Sequence, residues 1–484
     1  MTSRLSSKSW KQINKEMLIA DMKKAKSDNQ LRKTMRISII EGIFSQIYGT
    51  FAMIGSSFIV KMLIILQAAP IHFSLLSSIG QISQVFQPLG VAVTHNLADR
   101  KKHCVAITAA GRFLTFFLGA GLMFTNPHTG IWFVLILLFC SAALLSIGGN
   151  IWIAWISDSV PISFRGRFFS RRNQFLLFAG LIAGYIGSFT VDLFDINRKG
   201  IHQIFIQLTG LENLFKPEYQ GRFLTGVFVF ATFLSMIGLA ILSRQPERKA
   251  QVTNEPLQAK FKKPLKDTNF RKLVFFNMWW MLAVGVGSAF WGPFMLKKLQ
   301  MTLFEMQLYG SLHMVSSLLA YRFWGKFIDS HGNKTAMKIC IILGGLNPVF
   351  WLFMTSANHT IIWFEALLSG FMWAGTGIAM TNFILSIAPK GETQVYSGLY
   401  GAFGGICMML TTMMSGFFYP PDVTILSLKL ESEQVLFGIT GLLRWTAIIP
   451  LMFIAEAKSK SLLNLSLILW DSVYNRIRQI KQKI

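Results

Sequence analysis

The chain has 484 residues, of which 52% are hydrophobic and 14% charged, and its mean hydropathy is positive; this is too apolar for a soluble protein and places it in a bilayer. The net charge of +25 would suit nucleic acid, but the basic residues are interrupted by apolar runs of about 20 residues, long enough to cross ~30 Å of hydrocarbon, which no nucleic-acid module carries. The four cysteines, Cys104, Cys140, Cys340 and Cys407, are scattered without C-x-x-C spacing, and no Walker-type loop, zinc-binding His/Glu spacing or nucleophile elbow occurs, so no metal, cofactor or enzymatic chemistry is expected.

In chain order, residues 1–36 hold ten Lys or Arg but no continuous apolar core, unlike a cleavable signal peptide. Trp10, Ile13, Met17 and Ala20 fall at helical spacing, which reads either as an amphipathic helix on the membrane surface or as a partly ordered basic tail. Spanning helices are predicted over 38–66, 71–96, 104–125, 131–156, 174–195 and 223–243, within a first half at 37–243. A linker rich in charge and Gln follows at 244–272. The second half, 273–456, has predicted spans over 273–296, 303–328, 335–355, 360–387, 394–418 and 434–455. The tail at 457–484 is too short an apolar run to span and reads as a second surface helix. The one sizeable outer loop, 197–220, is expected to carry a short helix through 204–214. The expected fold is thus an all-α integral membrane protein with 12 transmembrane helices in two six-helix, pseudo-symmetric halves. With both termini on one side, that side collects 36 Lys and Arg against 7 on the other, leaving Lys61, Arg112, Arg322 and Arg444 inside spans. Both termini are therefore expected in the cytoplasm.

Two stretches support the repeat. The segment 322–338 joins two apolar segments and places Gly325 four residues before Asp329, followed by Gly332, Asn333 and Lys334. Gly325 would let helices approach closely, Asp329 sits where a helix stops, and Gly332 permits a left-handed reversal. A cousin occurs in the first half, as His95 to Lys102 with Asp99 and Arg100, and Pro161 and Pro389 each end a predicted span. The pattern G-x-x-x-D-x-x-G-x-[KR] between two membrane helices resembles the loop signature of the major facilitator superfamily of secondary transporters. The first copy departs from it, with His95 and Lys102 where glycines are usual.

The loop Arg165, Gly166, Arg167 to Asn173 and the stretch Glu41 to Tyr48 resemble a sparsely characterised bacterial branch of that superfamily. The resemblance implies secondary active transport of a small solute by alternating access, with protons as the candidate coupling ion, in a bacterial inner membrane, by a monomer in contact with membrane lipids. The alternative from a different class is a transport-inactive sensor or scaffold with the same fold. Asp99, Arg100, Arg165, Arg167, Gly325, Asp329 and Gly332 then become gating candidates; by charge alone, the arginines could equally clamp helix C-termini or lipid head groups, or serve only as topological anchors. The fourth predicted span lacks the buried arginine, and the fifth the Gly-Pro pair, that resemble drug/proton antiporters when present, which disfavours drug export.

Polar and aromatic residues collect on the helices that the resemblance makes cavity-lining. Gln46, Tyr48, Gln84, Asn150, Trp152, Asn277, Trp280, Glu365 and Trp373 are the substrate-binding candidates, with Gln81, Gln87 and His313 nearby in the pattern. Polar groups are costly in lipid unless they face protein or a watery cavity, so each could instead join helices. The intramembrane charges are few enough to pair. At 1.5 Å per residue, Arg112 lies about 12 Å and Glu41 about 5 Å from the same end of their helices, and Arg444 and Glu365 are similarly within reach of each other. Two buried pairs are expected, Glu41 with Arg112 and Glu365 with Arg444, with Glu365 also the candidate proton site.

Overall fold

The computed structural model describes residues 29–87, 89–90, 100–160, 162–196, 198–247, 257–389, 393–425 and 428–456. The basic N-terminal segment, Asp99, Pro161 and the C-terminal tail lie outside the described residues. Nine stretches among the described residues are long and apolar enough to cross a membrane: Asn29–Ile65, Arg100–Met123, Pro127–Ile153, Phe168–Asp192, Pro217–Leu242, Thr268–Lys298, Ile361–Ile387, Val395–Phe417 and Ser432–Met452. Three further predicted segments are helical, over Pro70–Ile82, Leu303–His331 and Asn333–Trp351; the first is too short to count among these and the other two are long enough but not apolar enough.

The chain divides into two compact units, Met1–Asn254 with Met301–Gln307, and Glu255–Gln300 with Leu308–Ile484. In the first, α1 (Asn29–Ala52) and α2 (Ser57–Ile65) replace the unbroken helix expected over 38–66. The break is local chemistry: Gly55 takes φ +90°, and Ser56 both donates to the Thr50 carbonyl at 2.7 Å and caps α2 by accepting from Phe58 N–H at 3.2 Å. Then come α3 (Pro70–Ile82), which passes into a 3-10 turn at Ser83–Phe86, and α4 (Arg100–Leu114), which tightens into a 3-10 segment at Thr115–Met123. The long helices α5 (Pro127–Ser159) and α6 (Ile162–Asp192) follow. Asn126 starts α5 by accepting from His128 N–H at 3.0 Å, with Pro127 at the first position, where its missing N–H costs nothing. The loop at 197–220 carries a helix, α7 (Ile201–Thr209), and α8 (Gln220–Leu242) closes the unit.

In the second unit the linker is partly helical, as α9 (Leu257–Lys266). Helix α10 (Thr268–Ser288) starts five residues before the predicted span because Asp267 caps it, accepting from Asn269 and Phe270 N–H at 2.9 and 3.1 Å. Next are α11 (Leu303–His331), α12 (Asn333–Trp351), α13 (Ile361–Ile387), α14 (Thr393–Phe417), α15 (Ser432–Thr446) and α16 (Ile448–Met452). A small antiparallel hairpin, β1 (Val423–Ile425) and β2 (Leu428–Leu430), pairs Val423 with Leu430, so the all-α expectation is corrected at this one place among the described residues. The core of the unit is built on Trp280, Trp324, Phe276 and Phe383. In the first unit, Trp155, Ile151 and Leu239 form one of several smaller clusters.

Three details repeat between the units. Gln67 and Gln300, 233 residues apart, are the two non-glycine residues of positive φ among the described residues, at 57° and 53°. The backbone N–H of Lys101 donates to Glu247 at 2.7 Å; that of Lys334, again 233 residues on, donates to Glu456 at 2.7 Å. The Lys101 ammonium reaches the Gln245 carbonyl at 3.4 Å, and the Lys334 ammonium reaches those of Met452 and Ile454 at 2.8 Å. In each unit a carboxylate beyond the last long helix thus caps the start of another, where the free N–H groups and the helix dipole favour negative charge.

Candidate functional site: a polar cavity and two buried arginines

Within the first unit, α3 and its 3-10 extension, the middle of α5, and the end of α1 surround a cavity of about 390 Å³, within the usual range for small-molecule sites. Its polar lining comes from Ser83, Gln84, Gln87, Ser141, Ser146 and Asn150, its apolar lining from residues such as Met53, Leu138 and Ile153, and none of the lining side chains among the described residues is charged. Gln84 and Gln87 are hydrogen-bonded to each other. The pocket follows from helical spacing: Gly80, Ser83, Gln84 and Gln87 fall on one face of one element, and Ser141, Leu145, Gly149 and Ile153 on one face of the other.

Of the predicted binding residues, Gln84 and Asn150 line this cavity. Gln46 lies against α6, where a Cβ added at Gly180 would fall 3.0 Å from its amide nitrogen. The hydroxyl of Tyr48, fully buried, is 3.2 Å from that of Thr115, which is 3.0 Å from that of Thr232. Trp152 is half-buried with the Arg172 guanidinium 4.7 Å from its ring centre. Asn277 is buried and donates to the Tyr400 carbonyl at 2.8 Å. Trp280 and Trp373 meet edge-on at 6.1 Å. The Tyr48 hydroxyl and the Asn277 amide nitrogen are therefore bonded to neighbouring helices, and neither residue is among those lining this cavity. The cavity's serines were not singled out from the sequence, although Ser141 and the amide pair Gln84 and Gln87 carried a signal as small and polar residues at helical spacing.

The buried charges take two forms. Arg112 donates to Glu41 at 2.9 Å, to the Ser45 hydroxyl at 2.8 Å and to the Ser235 carbonyl at 3.0 Å, and Arg172 approaches the other Glu41 oxygen at 3.8 Å. Glu365 and Arg444 are also buried but form no direct ion pair: Arg444 donates to the Gly344 carbonyl at 3.0 Å and lies 6.0 and 5.8 Å from the ring centres of Trp280 and Trp373. Glu365 accepts from Asn347 beside Tyr309 and Trp351. The expected contact between the two is thus corrected. Reach along the helix axes placed them within range, but carbonyl and aromatic partners lie nearer to Arg444.

Among the gating candidates, Gly332 takes φ +86° at the start of α12. Asp329 is exposed in the last turn of α11 and makes no hydrogen bond or ion pair among the described residues. At Gly325 an added Cβ would meet nothing within 4 Å among the described residues, so the close helix approach expected there is not made among them. Arg100 opens α4, and Arg165 and Arg167 lie in the first turns of α6. A residue the sequence reading missed is Asp192, the last of α6, whose carboxylate accepts from Leu303 and Phe304 N–H at 3.0 and 2.7 Å with His202 3.9 Å away. Its signal was a carboxylate at a helix C-terminus, where the dipole disfavours it unless a partner is supplied.

In the first unit, long apolar helices thus enclose a polar cavity, as in an integral membrane protein. The sequence pattern of the Major Facilitator Superfamily matches residues 42–412, and the chain belongs to that family. Among solved structures it is similar to the nucleoside transporter NupG (14% identity, TM-score 0.62, covering 88% of this chain and 99% of that one). It is similar also to a D-xylose-proton symporter (14%, 0.63, 90% and 100%) and to an auto-inhibited peptide transporter of the POT family (12%, 0.61, 90% and 98%). At these identities the likeness is one of fold. No curated protein sequence matches.

Proposed function

We propose that this chain is a secondary active transporter that moves a small, uncharged, hydrogen-bonding solute across the bacterial inner membrane by alternating access. The observation that carries the reading is the cavity lined by Gln84, Gln87, Asn150 and three serines, with no charged side chain among the described residues. Amides and hydroxyls can both donate and accept, which suits a polyol, nucleoside or amide, whereas a charged solute would enter without a counter-charge. Proteins of the same fold include a nucleoside transporter and a D-xylose-proton symporter, which supports this solute range and protons as coupling ion. Glu365 is the proton-site candidate, as a buried carboxylate without a direct cationic contact.

The architecture that goes with this reading has twelve spans in two six-helix halves, 37–243 and 273–456, both termini cytoplasmic, acting as a monomer. The paired left-handed glutamines and the paired carboxylate caps support the repeat. Asp329, exposed in this conformation, would gain partners at helix ends in another state of the cycle, together with Asp99 and the arginines Arg100, Arg165 and Arg167.

The test is a thermal-shift screen of the purified protein against pentoses, nucleosides and small peptides, followed by uptake of the best ligand into proteoliposomes. A binding solute raises the unfolding temperature. Asn150→Ala should weaken binding by ~1–2 kcal/mol, the loss of one or two hydrogen bonds, at unchanged folded yield. A ligand that binds but is not moved would favour the sensor reading, and one that binds equally well to Asn150→Ala and Gln84→Ala would remove this cavity as its site.

A further inference from the structure

Helix α7 is divided into three arcs. At about 100° per residue, Ile201, Ile204 and Leu208 fall within about 60° of one another and are exposed, Leu208 to 82%. His202 and Ile206 form the adjoining arc and are buried at 2% each, against Phe189, Phe194 and Leu193. Gln203 and Gln207 form the third and are exposed. An exposed apolar strip between a protein-packed face and a polar face is the pattern of a helix at a junction of protein, lipid and water. Ile196 before it, at 78% exposure, and Leu211 and Leu214 after it are exposed as well.

The loop is also held at the level where the membrane begins. It leaves the span Phe168–Asp192 and enters the span Pro217–Leu242, and Arg198 ties its two ends by donating to the carbonyls of Leu193 and Phe215 at 3.2 and 2.8 Å. Phe194 stacks on Phe223 of α8 at 4.7 Å, and Gly210, at φ +64°, ends the helix with its N–H on the Ile206 carbonyl. The helix is therefore folded down onto the ends of two spans and cannot stand away in solvent. A handful of apolar side chains is far less than the ~1,200–2,000 Å² that a stable protein interface buries, which argues against a second copy as the cover.

We propose that α7 is an interfacial membrane-binding element: Ile201, Ile204 and Leu208 insert into the boundary between head groups and acyl chains of the leaflet on its side, while Gln203 and Gln207 stay in water. Contact with lipid would fix the ends of α6 and α8 relative to the bilayer plane. The full chain, with Cys140 and Cys407 replaced by serine and the buried Cys104 and Cys340 kept, is labelled with a nitroxide at Leu208→Cys, Ile204→Cys or Gln207→Cys and placed in phosphatidylcholine vesicles. Collisional relaxation by oxygen, which concentrates in lipid, is compared with that by a water-soluble nickel chelate. The oxygen-to-nickel ratio should be several-fold higher at positions 208 and 204 than at 207. Equal ratios at all three, dominated by nickel, would put the strip in water and overturn the proposal. Shielding of positions 208 and 204 from both reagents would overturn it in favour of a protein cover.

Discussion

Arg112 in the first unit and Arg444 in the second are both buried to within a few per cent, yet their surroundings differ in kind. Arg112 touches a carboxylate, a hydroxyl and a carbonyl, and a second arginine approaches the same Glu41. Arg444 touches a carbonyl and lies near two indole rings, with Glu365 acting on it only through space. A cation stranded in a low-dielectric interior needs compensation, and a carboxylate supplies it at the cost of burying a second charge, whereas carbonyl dipoles and aromatic faces supply less but bury nothing ionic. The first unit is therefore locked by a charge cluster, while in the second the carboxylate of Glu365 stays free of a direct cationic contact. A carboxylate in that state can take up a proton without breaking an ion pair, which is the physical basis for choosing Glu365 over Glu41 as the coupling candidate.

The sharpest test of that contrast is a pair of isosteric changes. Glu41→Gln should lower the unfolding free energy by ~3–5 kcal/mol, because it leaves Arg112 buried without a counter-charge, and Arg112→Gln in the same chain should restore part of the loss. Glu365→Gln should cost only ~1–2 kcal/mol, the scale of an altered buried hydrogen bond to Asn347. Thermal unfolding in detergent measures both, and equal losses would break the contrast. Smaller effects are expected at the carboxylate caps. Glu456 accepts from the backbone of both Asn333 and Lys334 and from the Asn333 amide, whereas Glu247 accepts from the backbone of Lys101. Glu456→Ala should cost ~1–2 kcal/mol and Glu247→Ala about half as much, as for lost helix caps. Gln67→Gly and Gln300→Gly relieve a left-handed backbone that L side chains disfavour, so each should stabilise by up to ~1 kcal/mol, and by similar amounts if the two turns are equivalent.

Acid should separate the two units with the most local effect. Burial holds the His202 imidazole below its ordinary value of 6.5, so the folded loop binds fewer protons than the unfolded one. Its contribution is present above that ordinary value and is lost as pH falls below it. Hydrogen bonds from Ser432 hold the Asp422 carboxyl below its ordinary 3.8. Its contribution is present above 3.8 and is lost only as pH falls further. Spin-label mobility at Gln203 should therefore rise at mildly acid pH while that at Thr424 does not, and His202→Gln should abolish the first change.

Much of this was legible in the chain. Apolar run length places the long helices because hydrocarbon thickness sets a length that composition reveals. The spacing of Asp99 from Asp329 suggested a repeat, and the loop helix was expected at 204–214 but forms at Ile201–Thr209, ended by Gly210. The break at Met53 to Ser56 was missed, since an apolar run dominated the reading although Gly-Ser-Ser within it is a turn signal. The start of α10 was placed late because Asp267 acts as a cap, which charge counting treats as linker.

Among the site residues the division is similar. Composition and periodicity were enough to place polar and charged side chains within the apolar spans, and Gln84, Asn150, Glu41 and Arg112 could be named because such residues are rare there and costly without partners. Which partner each one has was decided only by tertiary structure. Helical periodicity fixes depth and face along one helix but not the rotation of that helix against its neighbours. So Tyr48 and Asn277 turned to protein partners, Gln84 and Asn150 to the cavity, and Arg444 to a carbonyl and two tryptophans in place of Glu365.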